Sequence, residues 1–237
     1  METISFSPSK LELFRKFIDE EYGGWFTKDM VVYNIKGLDE YGVKANYGTA
    51  IHELLEKGYE PYYDEMEGVY RVEVKNKGNI LPDVFEFTRE ELAPVMQYYD
   101  THRRAVNEIP LLLVLNIQGY EVIMRMRVDQ MLGVSVTDHK TSDKEPKLDD
   151  FERSLQWKLY LAATEAKVFK YNHFQYQQPK RGPNAGKTII IHREWEYYPY
   201  PEMWNDIIGW CNRFINFCAN ENLLDYLEYK QPKGLEL

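Results

Sequence analysis

Cysteine is scarce in this chain, with only Cys211 and Cys218 among 237 residues. Two thiols cannot build a four-thiolate iron–sulfur site. They lie seven residues apart in a segment of helical periodicity, two turns apart and too distant for a disulfide, so buried reduced thiols are expected. No apolar run approaches the roughly 20 residues that span a bilayer. The opening Met1-Glu-Thr-Ile-Ser lacks the basic and apolar regions of a signal peptide, which predicts a cytoplasmic protein. Low-complexity tracts are missing too. Apolar residues at 44% and charged residues at 28%, with many Tyr and Trp, are a globular composition.

Positive charge is in deficit, and the net charge of −9 speaks at first against a polyanionic partner. The deficit is uneven. Residues 1–120 carry 13 basic and 21 acidic side chains, residues 121–200 carry 13 and 11, and residues 201–237 carry 3 and 6. The middle third is locally basic, and a basic groove on an acidic body can still bind nucleic acid.

The chain opens with a helix signal: Ser7 as N-cap, Pro8 in the first turn, and Leu11, Phe14 and Phe17 or Ile18 at helical spacing, ended by Gly23-Gly24. Residues 25–46 are ambiguous, and Asp29–Ile35 reads equally as a short strand or a helix. Thr49 caps a short helix carrying His52 and stopped by Gly58. On its own, His52 reads as a helix-face histidine with a hydrogen-bond partner. An insertion is expected at about 59–87, with a strand at Val69–Lys75 and a turn at Asn76–Asn79. Thr88 and Glu91 form a capping box for a long helix in which Pro94 threatens a kink. Leu111–Gln118, the run from Val122 and the run ending at Lys140 read as three strands joined by short turns. A helix over Phe151–Phe169, a hairpin from Asn172–Gln177 and Lys187–Trp195, and a helical C-terminal extension at about 200–230 complete the expectation of a single domain over 1–237. Gly182-Pro-Asn-Ala-Gly186-Lys-Thr188 resembles a phosphate-binding loop, but it has three residues between the glycines instead of four and is followed by strand.

The stretch of most chemical interest is Asp129-Gln-Met-Leu-Gly133-Val-Ser-Val-Thr-Asp138-His-Lys140. Side chains alternate along a strand, so Asp138 and Lys140 share one face and His139 takes the other. A hairpin about Gly133 can bring Asp129 beside them. Two carboxylates suit a hard divalent cation, and a neighbouring ammonium can steer a water. Gln156 and Tyr160 are four apart and share a helix face.

Taken in order, Gly48-Thr-Ala-Ile-His52, Arg127-Val-Asp129, Thr137-Asp138-His-Lys140-Thr-Ser and Gln156-Trp-Lys-Leu-Tyr160 resemble the motifs of the PD-(D/E)XK nuclease superfamily, in particular its RecB-like exonuclease branch. Ser5-Phe-Ser-Pro-Ser-Lys-Leu-Glu-Leu-Phe resembles the start of such nucleases, where a helix packs beside the site. The resemblance implies an α/β fold with a central mixed sheet flanked by helices and a restriction-endonuclease-like αβββαβ core. It implies that His52, Asp129, Asp138 and the main-chain carbonyl of His139 bind Mg²⁺ or Mn²⁺. Lys140 would orient the attacking water, and Gln156 and Tyr160 would position the DNA strand or brace the acids. The reaction implied is hydrolysis of DNA phosphodiesters by in-line attack, leaving 5′-phosphate and 3′-hydroxyl ends. With two cysteines, the chain is similar to members without an iron–sulfur cluster. Asp138 is the shorter acid that the motif permits, and it fits the RecB-like branch better than the superfamily at large. The expected function is a metal-dependent exonuclease in phage or mobile-element recombination or DNA processing; the alternatives are a structure-specific or site-specific endonuclease and a non-catalytic DNA-binding subunit. A homo-oligomer or a recombination partner protein stays open.

Overall fold

Val122, Met124, Met126 and Val128 alternate along one strand and are all buried, which makes β6 (Tyr120–Leu132) the spine of the molecule. The computed structural model describes residues 2–38, 46–75, 81–178, 181 and 187–228. The expected turn at Asn76–Asn79, the loop Pro179–Gly186 apart from Arg181, and the tail from Gln231 lie outside them.

Helices and strands alternate as α/β, with a central mixed sheet of six strands flanked by helices. Its strands are β1 (Glu2–Phe6), β5 (Val106–Ile117), β6, β7 (Ser135–Ser142), β8 (Val168–Gln177) and β9 (Ile189–Tyr197). One edge of β6 is taken by β5, antiparallel from Ile117↔Tyr120 to Val106↔Met131. The other edge is shared. β1 pairs parallel with Tyr120–Met124, and β7 pairs antiparallel with Gln130–Leu132 only. Between them Arg125–Asp129 has no strand on that edge among the described residues, so β6 and β7 part like a fork while β7 runs on beside parallel β8 as far as Ser142↔Gln175.

Two apolar clusters sandwich this sheet. On one side α1 (Pro8–Ile18), α3 (Lys28–Lys36), α7 (Gln156–Ala163) and α8 (Met203–Asn220) bury Leu11, Phe14, Val31, Leu159, Phe214 and Cys218 against β6. On the other, α4 (Asn46–Lys57) and α5 (Arg89–His102) join a small sheet of β2 (Tyr63–Asp64), β3 (Val69–Val74) and β4 (Asp83–Phe87) around Ile51, Leu54, Val72, Phe87 and Leu92. Each such side chain taken fully from water stabilises the fold by roughly 1.5–3 kcal/mol. Both cysteines are free and buried.

Several expectations are corrected, one is met and one left open is decided. The N-terminal helix stops at Ile18, because the chain turns left-handed at Glu20, with φ of 50°, while the residues before it form β1. Asp29–Ile35 is helix, capped by the Thr27 hydroxyl on Met30 N–H. Thr49 lies within α4 rather than at its cap. The capping box at Thr88 and Glu91 is present, and α5 runs through Pro94. The expected helix over 151–169 is two: α6 (Leu148–Glu152) and α7. The break falls at Ser154, whose hydroxyl accepts from Gln156 N–H, and α7 gives way after Ala163, where Lys167 N–H, just before β8, is drawn to the Val134 carbonyl between β6 and β7. Among the described residues no helix is long and apolar enough to cross a membrane.

Candidate active site

The fork between β6 and β7 is where the acids gather. Asp138 and Lys140 point from β7 toward α7, and the Lys140 amine meets Asp138 Oδ2 at 2.6 Å. Asp138 is only 3% exposed. Its Oδ1 accepts the side-chain amide of Gln156 at 2.6 Å, and the same amide reaches the Tyr160 hydroxyl at 3.1 Å. That hydroxyl in turn donates to the Arg127 carbonyl, on the stretch of β6 that meets neither β1 nor β7 on this edge. One turn of α7 therefore spans the fork from β7 to β6.

Asp129 stands in the fork itself. Its Oδ2 accepts the backbone N–H of His139 at 2.7 Å, in place of a ladder bond. Opposite it in β5, Glu108 has φ of 55°, and the ladder passes from Asn107↔Gln130 to Ile109↔Val128 without it. A non-glycine residue held there is strained. Glu108 also binds Arg127 at 2.6 Å. Its signal was invisible in the sequence, since a backbone outlier leaves no mark in composition.

His52 approaches from the other side, its Nδ1 at 4.0 Å from Asp129 Oδ2. Gly48 makes the approach feasible: a Cβ there would run into the Thr141 hydroxyl, so α4 lies directly on β7. His139 presents its buried ring to the α4 and α5 side, with centroids 5.8 Å from His52 and 5.5 Å from Tyr98. Its ring thus lies on the face opposite Asp138, and its backbone comes within reach of the His52 imidazole.

The electrostatics follow from burial. Asp129 is pushed up to about 7 by burial and by the nearby Asp138 carboxylate, against the pull of the His139 N–H and Lys140. Burial draws Lys140 down, but Asp138 more than offsets this and holds the ammonium above its ordinary value. Burial lowers His52, so its imidazole is neutral at pH 7 and has a lone pair to give. Among the described residues Asp138 Oδ2 has no well-directed hydrogen bond despite its ion pair.

Two carboxylates, a neutral imidazole and a carbonyl form a donor set that fits Mg²⁺ or Mn²⁺ in kind. They are not a preformed cage. Among the described residues no three His, Cys, Asp or Glu side chains are close enough together to hold an ion, and Lys140 and the His139 N–H each hold one of the two acids.

The sequence reading missed Glu12 and Arg15 beside this site. Glu12 accepts the Leu155 N–H at the start of α7, and its only sequence signal was its place in the N-terminal helix.

A family model for the PD-(D/E)XK nuclease superfamily matches residues 5–194. A solved structure described as "Crystal structure of SSO0001" aligns at a TM-score of 0.49 and 15% identity, covering 91% of this chain and 77% of that one. No curated protein matches the chain in sequence.

Proposed function

The chain belongs to the PD-(D/E)XK nuclease superfamily, and from that premise we propose that it is a divalent-metal-dependent deoxyribonuclease acting as an exonuclease, in recombination or DNA processing of a phage or mobile element. The observation that carries this reading is the run Gln156–Asp138–Lys140, with contacts of 2.6 Å at each step, beside Asp129 in a fork of the sheet. A non-catalytic DNA-binding module gains nothing from paired carboxylates, which repel phosphate.

In this proposal His52, Asp129, Asp138 and the His139 carbonyl hold Mg²⁺ or Mn²⁺, which when bound supplies Lewis acidity at the scissile phosphate. Lys140 stays protonated beside Asp138, so it serves as a cation that orients a water or phosphate oxygen and offsets developing negative charge, rather than as a base. Gln156 fixes the Asp138 carboxylate, and Tyr160 fixes Gln156 against the Arg127 carbonyl.

The test is incubation with linear duplex, covalently closed circular duplex and single-stranded DNA, in Mg²⁺ or Mn²⁺. Degradation of linear DNA alone supports an exonuclease, and cutting of circles supports the endonuclease alternative. Binding without cleavage in either metal, or cleavage that survives Lys140→Ala, removes the catalytic proposal.

A further inference from the structure

Arg15 is 1% exposed and holds three carboxylates at once. Its guanidinium grips Glu12 through NH2 at 2.8 Å and Nε at 3.4 Å, and NH1 reaches Asp19 at 2.9 Å and Glu21 at 2.6 Å. A buried arginine with so many partners is expensive to maintain if it only stabilises helix α1. What it achieves is to immobilise one carboxylate, Glu12, whose Oε2 also accepts the Leu155 N–H at 2.9 Å.

Leu155 precedes α7, whose first N–H groups have no partner within the helix. No side chain of α6 or α7 caps Leu155 N–H; Glu12 does so from 143 residues away, while Ser154 serves Gln156 N–H. A carboxylate at this end also suits the helix dipole. The next residue is Gln156, the one that bonds Asp138.

We propose that Glu12, clamped by Arg15, is a positioning residue of the candidate active site: it pins the start of α7 and so sets Gln156 on Asp138. The inference rests on the nuclease reading for its effect on catalysis, but its structural half stands apart from it. Glu12 touches neither the proposed cation nor the phosphate; it acts through the Leu155 backbone and Gln156.

The test uses the full chain with Glu12→Gln and Glu12→Ala, the first keeping an acceptor of the same length and the second removing it. In both, Leu155 amide exchange should quicken, more in Glu12→Ala, and the Gln156 side-chain amide resonance in NMR should shift as its bond to Asp138 loosens. In the cleavage assay kcat should fall about 10–100-fold, the scale for groups that orient catalytic side chains, with KM for DNA little changed. Combined with Gln156→Ala, Glu12→Gln should cost nothing further, because both act on one contact. An unshifted Gln156 resonance in Glu12→Ala overturns the proposal whether or not the wild type cuts DNA, as does full additivity with Gln156→Ala. A wild type that cuts no DNA, with the resonance shifting as expected, counts against the nuclease reading alone. Should Glu12→Ala fail to fold, Glu12→Gln carries the same resonance and additivity tests.

Discussion

The carboxylate of Asp129 accepts the backbone N–H of His139 at 2.7 Å, across the gap where β6 and β7 no longer pair. A side chain does there what a neighbouring strand does elsewhere. An amide oxygen can accept the same N–H, so Asp129→Asn should keep this strut while removing a charge that burial and Asp138 disfavour. The expected outcome is a metal-free protein at least as stable as wild type, by up to about 1 kcal/mol. The rise in Tm on adding Mg²⁺ or Mn²⁺ should vanish, and cleavage should fall by about 10³-fold or more. Thermal melts with and without the cation check it; an undiminished cation shift would remove Asp129 from the ligand set.

Tyr160→Phe deletes one hydroxyl that both accepts from Gln156 and donates to the Arg127 carbonyl. Its loss should cost about 1–2 kcal/mol in urea denaturation, as a buried acceptor loses its donor. kcat should drop about tenfold while DNA affinity holds. A large change in affinity with unchanged kcat would instead make Tyr160 a direct DNA contact.

Gly48→Ala sets two effects against each other. Helix propensity favours alanine by about 1 kcal/mol, whereas a Cβ at 48 collides with the Thr141 hydroxyl and overpacking costs about 1–3 kcal/mol. The collision should win, leaving a net loss of about 1 kcal/mol and a displaced His52. In a Thr141→Ala background the same change should turn neutral or stabilising. If Gly48→Ala stabilises the wild type, Thr141 yields freely and α4 is less tightly seated than its contacts imply.

His173 supplies a pH dependence away from the acids. It is buried, its Nε2 lies 2.8 Å from the Ser142 hydroxyl and its Nδ1 has no hydrogen-bond partner among the described residues. Burial, then Arg193 and His192, lower it from 6.5 to about 4. Between those values the unfolded chain binds the proton more readily than the folded one. Its share of stability is therefore complete above pH 6.5 and is lost as pH falls toward 4, by roughly 2–3 kcal/mol. Urea midpoints at pH 7 and pH 4.5 should separate less in His173→Gln than in wild type; an equal separation would assign the acid sensitivity elsewhere.

What the sequence revealed of this molecule is what neighbouring residues decide. Alternation put Asp138 and Lys140 on one face, a spacing of four put Gln156 beside Tyr160, and the Thr88 and Glu91 pair announced α5. What it hid depends on partners far along the chain. Glu2–Phe6 is a strand because Tyr120–Met124 offers it an edge, and no local pattern carries that information. Glu12 shows no local sign of its role, because the Leu155 N–H that it accepts lies 143 residues away. The helix over 151–169 looked continuous because its periodicity is unbroken, whereas the Ser154 hydroxyl and the pull of Val134 on Lys167 end it early.

The two apolar clusters give the site divided parentage. Asp138 and Lys140 answer to the layer built on α7, and His52 answers to the layer built on α4, α5 and the small sheet. Phe87 and Leu92 pack in the same cluster as Ile51, the residue before His52, whereas Asp138 is held from the side of α7. The small sheet therefore bears on one side of the candidate site, and a volume change at Phe87 or Leu92 should alter the separation of His52 from Asp129 while Asp138, Lys140 and Gln156 stay as they are.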